Sequence, residues 1–273
     1  MQFIDFTIEE LEEHPSVLLQ YDNIRPIGKM YNTVVNPATK RLFIRIKPSI
    51  KQLSTNTYRL SAGVDSKELP KISDIAKIAF YSLDYVPGTV GGMIYQNASS
   101  ATSISQYIKD VCFILINPSM DAKKSTPKIM HFNKKECKFG YRNSIFRELS
   151  ENGNTVVILY ADFELPSAPP VITPGQIQKF ERKLGIWKRC ESQLRDYDPL
   201  GCKGCIYRDL YVKQHLPQEV VQHNILMTSY GRSFWIPSKD VTFEDWIANI
   251  KECEEIIKLE TGKEPNHEIE IIY

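Results

Sequence analysis

The sequence predicts a mixed fold of the α/β or α+β class, because short stretches with strand and helix patterns follow one another along the chain. Residues 42–47 (LFIRIK) alternate between apolar and polar side chains, which is typical of a half-buried strand. Apolar residues recur with helix spacing in residues 72–83, which are therefore expected to form a helix. Thr7 is followed three residues later by Glu10, a capping box that predicts a short helix over residues 7–14.

The remaining elements follow the same patterns. Apolar strand patterns cover residues 58–64, 110–117, 128–132 and 155–165. The Pro-rich residues 166–176 predict a linker, and the charged residues 177–196 predict a helix after it. A second capping signal at residues 242–245 opens a helix that ends at Gly262. Its predicted apolar face carries Trp246, Ile247, Ile250, Cys253 and Ile257. Residues 268–271 alternate as a terminal strand.

Length and composition limit the classes of protein to which this chain is expected to belong. A length of 273 residues predicts about two domains, or one large one, with a core that needs no disulfide. Lys and Arg total 34 against 33 Asp and Glu, which argues against a nucleic-acid-binding or anionic-membrane-binding protein. No apolar run reaches the roughly 18 residues that span a bilayer, and the N-terminus does not resemble a signal peptide. Six scattered cysteines are typical of reduced thiols, so a cytoplasmic protein is expected.

The most unusual stretch is residues 87–92 (PGTVGG). It matches neither the phosphate loop GxxxxGK[ST] nor the dinucleotide pattern GxGxxG. Adjacent glycines let a backbone approach a flat or charged group closely, but a tight turn between a helix and a strand uses glycines as well. The residues alone leave a ligand loop and a plain turn equally open.

Three further features carry alternative interpretations. Cys202 and Cys205 form a CxxC pair that suits redox chemistry, half a zinc site or a single acid–base cysteine, and zinc is not expected because no second ligand pair follows. Arg142 lies within residues 139–146 (FGYRNSIF). That pattern favours an edge strand with a surface arginine, although in a pocket its planar guanidinium would suit a carboxylate or phosphate. Glu268 lies on the terminal strand, where a solvated face is the simpler interpretation.

Three segments, taken in order, resemble the UDP-N-acetylenolpyruvoylglucosamine reductases, the MurB family of peptidoglycan precursor synthesis. Residues 86–99 (VPGTVGGMIYQNAS) resemble the flavin-contacting loop of the family, Ile-Pro-Gly-Ser/Thr-Val-Gly-Gly followed by Asn-Ala-Gly. Residues 136–146 (ECKFGYRNSIF) resemble its Phe-Gly-Tyr-Arg-Asp-Ser-x-Phe segment, about forty residues later. Residues 265–272 (PNHEIEII) follow a predicted helix and resemble its terminal Pro-Glu-Val-Arg-Ile-Ile strand.

The resemblance implies an α+β fold, with a two-subdomain flavin-binding region over residues 1–165 and a smaller α/β substrate-binding domain over residues 166–273. We identify no counterpart of an N-terminal segment of the family, so a diverged and N-terminally shortened member is expected. The implied activity is an FAD enzyme that passes hydride from NADPH to an enolpyruvyl double bond, without a metal. The implied substrate is a nucleotide sugar or another unsaturated acid.

The resemblance also implies roles for individual residues. Arg142 and Glu268 match the catalytic arginine and glutamate of the family, and Tyr141 and Arg208 fall at substrate-binding positions. Cys205 matches the proton donor, with Cys202 as the alternative register. A thiol suits this role because its pKa lies nearer to neutral pH than that of a hydroxyl. The residues expected to contact the flavin are Gly28, Asn32, Pro87, Gly88, Thr89, Val90, Gly91, Gly92 and Asn97.

One departure from the family keeps other functions open. Residues 28–32 (GKMYN) stand where the family has Gly-Gly-Gly-Ser-Asn at the flavin pyrophosphate. The Cβ atoms of Met30 and Tyr31 hinder the approach of backbone N–H groups to a phosphate, whereas the charge of Lys29 offsets part of that loss. The alternatives are a related reductase of a specialised pathway and a non-catalytic binding protein that has lost FAD.

Overall fold

Two units make up the chain in the computed structural model, which describes residues 1–117, 126–178, 180–181, 184, 195–201, 203, 206–208, 215–216, 220–227 and 235–273. The first unit comprises Met1–Gly28 and Lys40–Leu184, and the second comprises Lys29–Thr39 and Gly185–Tyr273. The second unit therefore includes a short N-terminal piece, and the units do not coincide with a division at residue 165. The assignment of flavin binding to residues 1–165 and substrate binding to residues 166–273 stays a prediction.

The first unit begins with a small parallel sheet. Its central strand β4 (Leu42–Ile46) pairs with β1 (Gln2–Phe6) on one side and with β2 (Ile24–Pro26) on the other. Helix α1 (Ile8–Glu13) follows β1, and both halves of the capping box predicted from Thr7 and Glu10 are present. The predicted strand at residues 42–47 is confirmed.

A five-stranded antiparallel sheet forms the rest of the framework of the first unit. Its strand order is β5-β6-β9-β7-β8. The strands are β5 (Ile50–Gln52), β6 (Thr57–Ser61), β7 (Ile108–Ile116), β8 (Lys128–Asn133) and β9 (Thr155–Glu164). The four strands predicted over this part of the chain are thus confirmed, within a few residues at their ends. Consecutive residues of the central strands β7 and β9 are buried, so both faces of this sheet are covered there.

Short helices cover this sheet. They are α2 (Asp74–Ala79), α3 (Val90–Gln96) and α4 (Ile145–Glu151), with 3₁₀ turns at Pro15–Gln20, Ser66–Lys71, Leu83–Tyr85 and Ile104–Tyr107. The helix predicted over residues 72–83 is half as long as expected. It ends at Ala79, and Ser82 adopts a left-handed conformation with φ 70°. The side chain of Phe80 still reaches the core, where its ring packs edge-on against Phe163 at 5.6 Å.

The second unit has its own core around one long helix, α5 (Phe243–Thr261). Both halves of the capping box from Thr242 and Asp245 are present, and Gly262 ends the helix with φ 68°. Strand β13 (Glu270–Ile272) pairs in parallel with β3 (Thr33–Val35). A second, antiparallel sheet contains β10 (Val220–Gln222), β11 (Ile225–Met227) and β12 (Trp235–Pro237). The buried Trp235 and Trp246 stack with 6.0 Å between their ring centroids.

In the second half of the chain, the terminal strand starts later than predicted, and the start of the predicted linker has no regular secondary structure. The terminal strand begins at Glu270 rather than at residue 268, because the backbone N–H groups of Glu268 and Ile269 both donate to the Ile206 carbonyl oxygen. Residues 166–173 contain no helix or strand, in line with a linker, and residues 174–178 are helical. Much of the helix predicted over residues 177–196 lies outside the described residues. Among the helices that the structure describes, none has the length and apolarity needed to cross a bilayer.

Candidate functional site

The glycine-rich stretch 87–92 is the start of helix α3 and not a plain turn between a helix and a strand. Gly88 has φ +153°, a conformation that L side chains rarely adopt. Thr89 caps the helix, and its Oγ1 accepts a hydrogen bond from the Gly92 N–H at 3.4 Å. Gly91 donates through its backbone N–H to the Ala62 carbonyl oxygen at 2.8 Å. The motif therefore fixes the first turn of α3 against the neighbouring strand segment.

The adjacent residues Gly91 and Gly92 differ in what surrounds them. A Cβ atom on Gly91 would lie 2.7 Å from the Ala62 Cβ atom, so glycine is required there by internal packing. Gly92 is exposed, and a Cβ atom there would meet only Thr89 Oγ1, at 3.7 Å. Of the two glycines, Gly92 is thus the one that leaves an open surface for a ligand.

Gly28 lies against this same turn within the first unit. A Cβ atom on Gly28 would be 3.0 Å from Thr89 Oγ1 and 3.8 Å from the Gly92 Cα atom. The structure therefore brings together two loops, about sixty residues apart in sequence, that were both expected to contact a flavin.

A third predicted segment joins them through the C-terminal end of α3. Asn97 ends this helix in a left-handed conformation, and its Nδ2 donates to the Gly140 carbonyl oxygen at 2.7 Å. Ser144, the N-cap of α4, donates through its hydroxyl to the Tyr95 carbonyl oxygen at 2.7 Å. Residues 140–143 are thereby held at the end of α3.

Arg142 lies in this held segment with an unusual backbone. The interpretation of residues 139–146 as an edge strand is wrong: an isolated bridge joins Gly140 and Asn143, and a helix starts at Ile145. Arg142 has φ 52°, which is uncommon outside glycine. Strained conformations of this kind cluster at functional sites. The neighbouring Tyr141 is 59% exposed, and its ring centroid is 5.9 Å from the Arg142 guanidinium carbon.

Glu268 belongs to the second unit and is only 4% exposed, so the solvated strand face considered for it is wrong. Its backbone N–H donates to the Ile206 carbonyl oxygen at 2.7 Å. Its own carbonyl oxygen accepts a hydrogen bond from Asn32 Nδ2 at 2.9 Å, and the Glu270 N–H donates to the Asn32 carbonyl oxygen. Asn32 is thus hydrogen-bonded to the backbone of both Glu268 and Glu270.

Arg208 lies beside the same segment. Its Nε donates to the His267 carbonyl oxygen at 2.8 Å, and its backbone N–H donates to the Asn266 carbonyl oxygen. The His267 ring contacts the Tyr207 ring at 5.6 Å and pairs through Nε2 with the Glu254 carboxylate at 2.5 Å. The structure therefore brings Arg208, Asn32 and Glu268 into one part of the second unit.

Two of the predicted residues are not placed. Cys202 and Cys205 lie outside the described residues. Within the described ranges, no group of three or more His, Cys, Asp or Glu side chains is arranged to hold a metal ion.

Sequence reasoning missed two residues, one in each unit. A Cβ atom on Gly63 would lie 1.7 Å from the Ile46 carbonyl oxygen, so that position allows only glycine. Lys203 is 1% exposed, although lysine is seldom fully buried. The small residues of Ser61-Ala62-Gly63 are a local signal for close packing, whereas nothing local distinguishes Lys203.

Comparisons with known proteins find similarity in sequence to UDP-N-acetylenolpyruvoylglucosamine reductases. A UDP-N-acetylenolpyruvoylglucosamine reductase of Buchnera aphidicola is 26% identical over 152 residues, 51% of this chain and 39% of that protein. One from Pseudoalteromonas atlantica is 33% identical over 100 residues, 36% of this chain and 26% of that protein. UDP-N-acetylenolpyruvoylglucosamine reductase 1 of Bacillus anthracis is 22% identical over 261 residues, 90% of this chain and 79% of that protein. The chain thus spans about two fifths of the length of the Buchnera protein.

The fold comparison covers nearly the whole chain. The crystal structure of UDP-N-acetylenolpyruvylglucosamine reductase (MurB) from Thermus caldophilus matches with a TM-score of 0.60 at 15% identity, covering 99% of this chain and 91% of the other. No protein-family model matches the sequence. The α+β fold implied by the three sequence motifs is confirmed: the chain is similar in sequence, at low identity, to UDP-N-acetylenolpyruvoylglucosamine reductases and is similar in fold to the MurB structure from Thermus caldophilus.

Proposed function

We propose that this protein is an FAD-dependent reductase that uses NADPH to reduce an enolpyruvyl-type double bond. The substrate class is a nucleotide-linked enolpyruvyl sugar, as in peptidoglycan precursor synthesis, or a related unsaturated acid of a specialised pathway. One observation carries the proposal: Gly28, the turn at residues 88–92 and the Arg142 segment, which lie far apart in sequence and were all assigned from the same resemblance, come together around helix α3.

The residues around this turn fit a flavin nucleotide. Gly92 presents exposed backbone without a Cβ atom, Gly28 packs against the same turn beside Thr89, and Gly88 adopts a conformation suited to glycine. Thr89 and Asn97 add polar side chains at the two ends of α3. These residues, with Pro87, Val90 and Gly91, would hold FAD. Bound FAD would take hydride from NADPH and supply it to the β-carbon of the substrate.

Arg142 has the properties of a fixed cation for the substrate carboxylate. Its guanidinium is charged at all working pH values and can pair with both oxygens of a carboxylate. The Asn97–Gly140 and Ser144–Tyr95 hydrogen bonds hold its segment before any ligand arrives. A cation fixed in advance stabilises the negative charge that develops on the substrate carboxylate without reorganisation cost.

The acid–base roles fall to residues of the second unit. Glu268 would stabilise the enolic species, and its segment is fixed by Ile206 and Asn32. The Cys205 thiol would then protonate the α-carbon of the substrate, with Tyr141 and Arg208 as substrate contacts. In this scheme the proton lost by the thiol is recovered from solvent before the next turnover.

Substitution of Arg142 tests the assignment. In the Arg142→Ala variant we expect turnover to fall by about a hundredfold or more, as when one fixed transition-state donor is removed. The spectrum of bound flavin should be unchanged, because the α3 turn is intact. Lys138→Ala is the matched control, since it removes a neighbouring exposed cation and should keep wild-type turnover. Undiminished turnover in Arg142→Ala would overturn this role for Arg142.

One observation favours the alternative, a binding protein without FAD. Met30 is 3% exposed, and the Lys29 ammonium pairs with the Asp196 carboxylate at 3.0 Å. Residues 28–32 correspond to the pyrophosphate loop of the family. The side chains of Lys29 and Met30 there are therefore already paired or buried within this protein. Such a protein would still bind a nucleotide-linked acid in calorimetry while leaving added FAD free in solution.

A further inference from the structure

Lys203 is a fully buried cation in the second unit. Its side chain is among the largest fully buried ones, and the residue is 1% exposed. Its Nζ donates to the Met30 carbonyl oxygen at 3.0 Å and to the Asp198 carbonyl oxygen at 2.9 Å. Burying an ammonium group is costly unless hydrogen bonds compensate it, so this arrangement ties the three segments together.

Residues 196–198 and residues 29–31 also contact each other directly. We call the whole set of contacts between residues 196–198 and 203 on one side and residues 29–31 on the other the loop clamp. The Asp196 carboxylate pairs with Lys29 Nζ at 3.0 Å and accepts a hydrogen bond from the Tyr31 hydroxyl. The Tyr197 N–H donates to the Lys29 carbonyl oxygen at 3.1 Å. Each of residues 29, 30 and 31 thus bonds to at least one of Asp196, Tyr197 and Lys203.

The clamp holds a backbone conformation that its own sequence disfavours. Met30 has φ 67°, a left-handed conformation that costs a residue with a long side chain free energy. A glycine residue adopts such a conformation without a steric penalty. Here the buried Lys203 ammonium, which donates to the Met30 carbonyl oxygen, fixes the conformation instead.

We propose that Lys203 is a positioning residue for a diphosphate: it fixes residues 29–31 so that their backbone N–H groups bind the diphosphate of the flavin nucleotide. This inference rests on the proposed function. The buried ammonium acts through the loop and also contributes a fixed positive charge, which favours an anionic ligand nearby. Lys203, which is distant in sequence, thus stabilises a loop conformation that glycine residues in the loop would adopt without help.

The test compares the full-length variants Lys203→Met and Asp196→Asn with wild type. Two quantities are measured: hydrogen exchange of the amides of residues 29–36 without ligand, and the dissociation constant for FAD. Loss of a charge-assisted hydrogen bond predicts that Lys203→Met binds FAD about tenfold to a hundredfold more weakly. Exchange should accelerate in residues 29–36 and stay unchanged in β11 and α5. Lys203→Arg, which keeps the charge and donors, should restore part of the binding.

Two matched controls belong to the same unit. Lys251→Met removes an exposed lysine of α5, and Glu264→Gln breaks the exposed Lys258–Glu264 pair as Asp196→Asn breaks the Lys29 pair. Both should match wild type in exchange and in FAD binding. If Lys203→Met does not fold, the FAD affinity of Asp196→Asn tests the proposal alone. Asp196 is half exposed, so its replacement leaves the core intact.

Three results would overturn the proposal. Wild-type FAD affinity in Lys203→Met or Asp196→Asn would show that the clamp does not serve the ligand. Faster exchange throughout the second unit, with FAD binding unchanged, would make Lys203 a general stabiliser of the fold. Failure of the wild-type protein to bind FAD would overturn the proposed function, and with it the diphosphate role, before any variant is considered.

Discussion

Adding one methyl group at Gly91 or at Gly92 should have opposite consequences, although the two glycines are adjacent. In Gly91→Ala the new Cβ atom would lie 2.7 Å from the Ala62 Cβ atom, whereas carbon atoms pack at about 3.5–4.0 Å. Helix α3 must therefore move away from Ala62 by about 1 Å. The movement strains two hydrogen bonds, from the Val90 N–H to the Val64 carbonyl oxygen and from the Gly91 N–H to the Ala62 carbonyl oxygen, both 2.8 Å.

The magnitude follows from these contacts. Overpacking costs about 1–3 kcal/mol, and each weakened hydrogen bond costs about 0.5–1.5 kcal/mol. Replacing a helical glycine returns about 1 kcal/mol, so Gly91→Ala should lower the free energy of unfolding by about 1–5 kcal/mol. Gly92→Ala has no such clash, since its nearest neighbour would be 3.7 Å away. Its free energy of unfolding should stay the same or rise by up to about 1 kcal/mol.

The assay is urea unfolding of both variants and wild type, followed by FAD titration of each folded protein. Under the proposed function, Gly92→Ala should keep its stability and lose FAD affinity, because the methyl group occupies the exposed surface of the turn. A Gly91→Ala variant as stable as wild type would refute the packing argument. A Gly92→Ala variant that binds FAD normally would refute the assignment of that surface to the flavin.

Other predictions concern buried polar groups. The side chain of Asn249 is 0% exposed, and within the described part of the chain neither of its amide atoms has a hydrogen-bond partner. Asn249→Leu should therefore raise the free energy of unfolding by about 1–3 kcal/mol in urea titrations, and a decrease would contradict this. Burial raises the pKa of Cys112 to about 11 and those of Cys137 and Cys253 to about 12. Peptide mapping after alkylation at pH 8 should find these thiols unmodified in the native protein, and labelling at the rate of a free cysteine would contradict their burial. Because their folded-state pKa values lie above the unfolded value of 9.0, their contribution to stability should be complete below pH 9 and decline as pH rises through 11 to 12.

Local signals in the sequence predicted local structure well. The capping boxes at Thr7 and Thr242 are both present, because a cap is decided by residues three positions apart. The helix over residues 72–83 was predicted too long because no glycine or proline marks its end at Ala79. The strand at residues 268–271 starts late because Ile206, about sixty residues earlier, bonds to the backbone there.

The candidate site was predictable only through its ordered motifs. The fold and the approach of Gly28 to Thr89 agree with the resemblance to the reductase family. By contrast, the different roles of Gly91 and Gly92 depend on the position of Ala62, and the burial of Lys203 depends on Met30 and Asp198. No pattern of nearby residues encodes such long-range contacts. The proton-donor role of Cys205 stays a prediction.

The most direct test of the central claim is the visible absorption spectrum of the purified protein during titration with FAD under anaerobic conditions. The proposed function predicts a flavin band that shifts on binding and bleaches when NADPH is added. The band should return on addition of an enolpyruvyl nucleotide sugar or a related unsaturated acid. A protein that stays colourless after dialysis against excess FAD would contradict the claim that Gly28 and the turn at residues 88–92 hold a flavin.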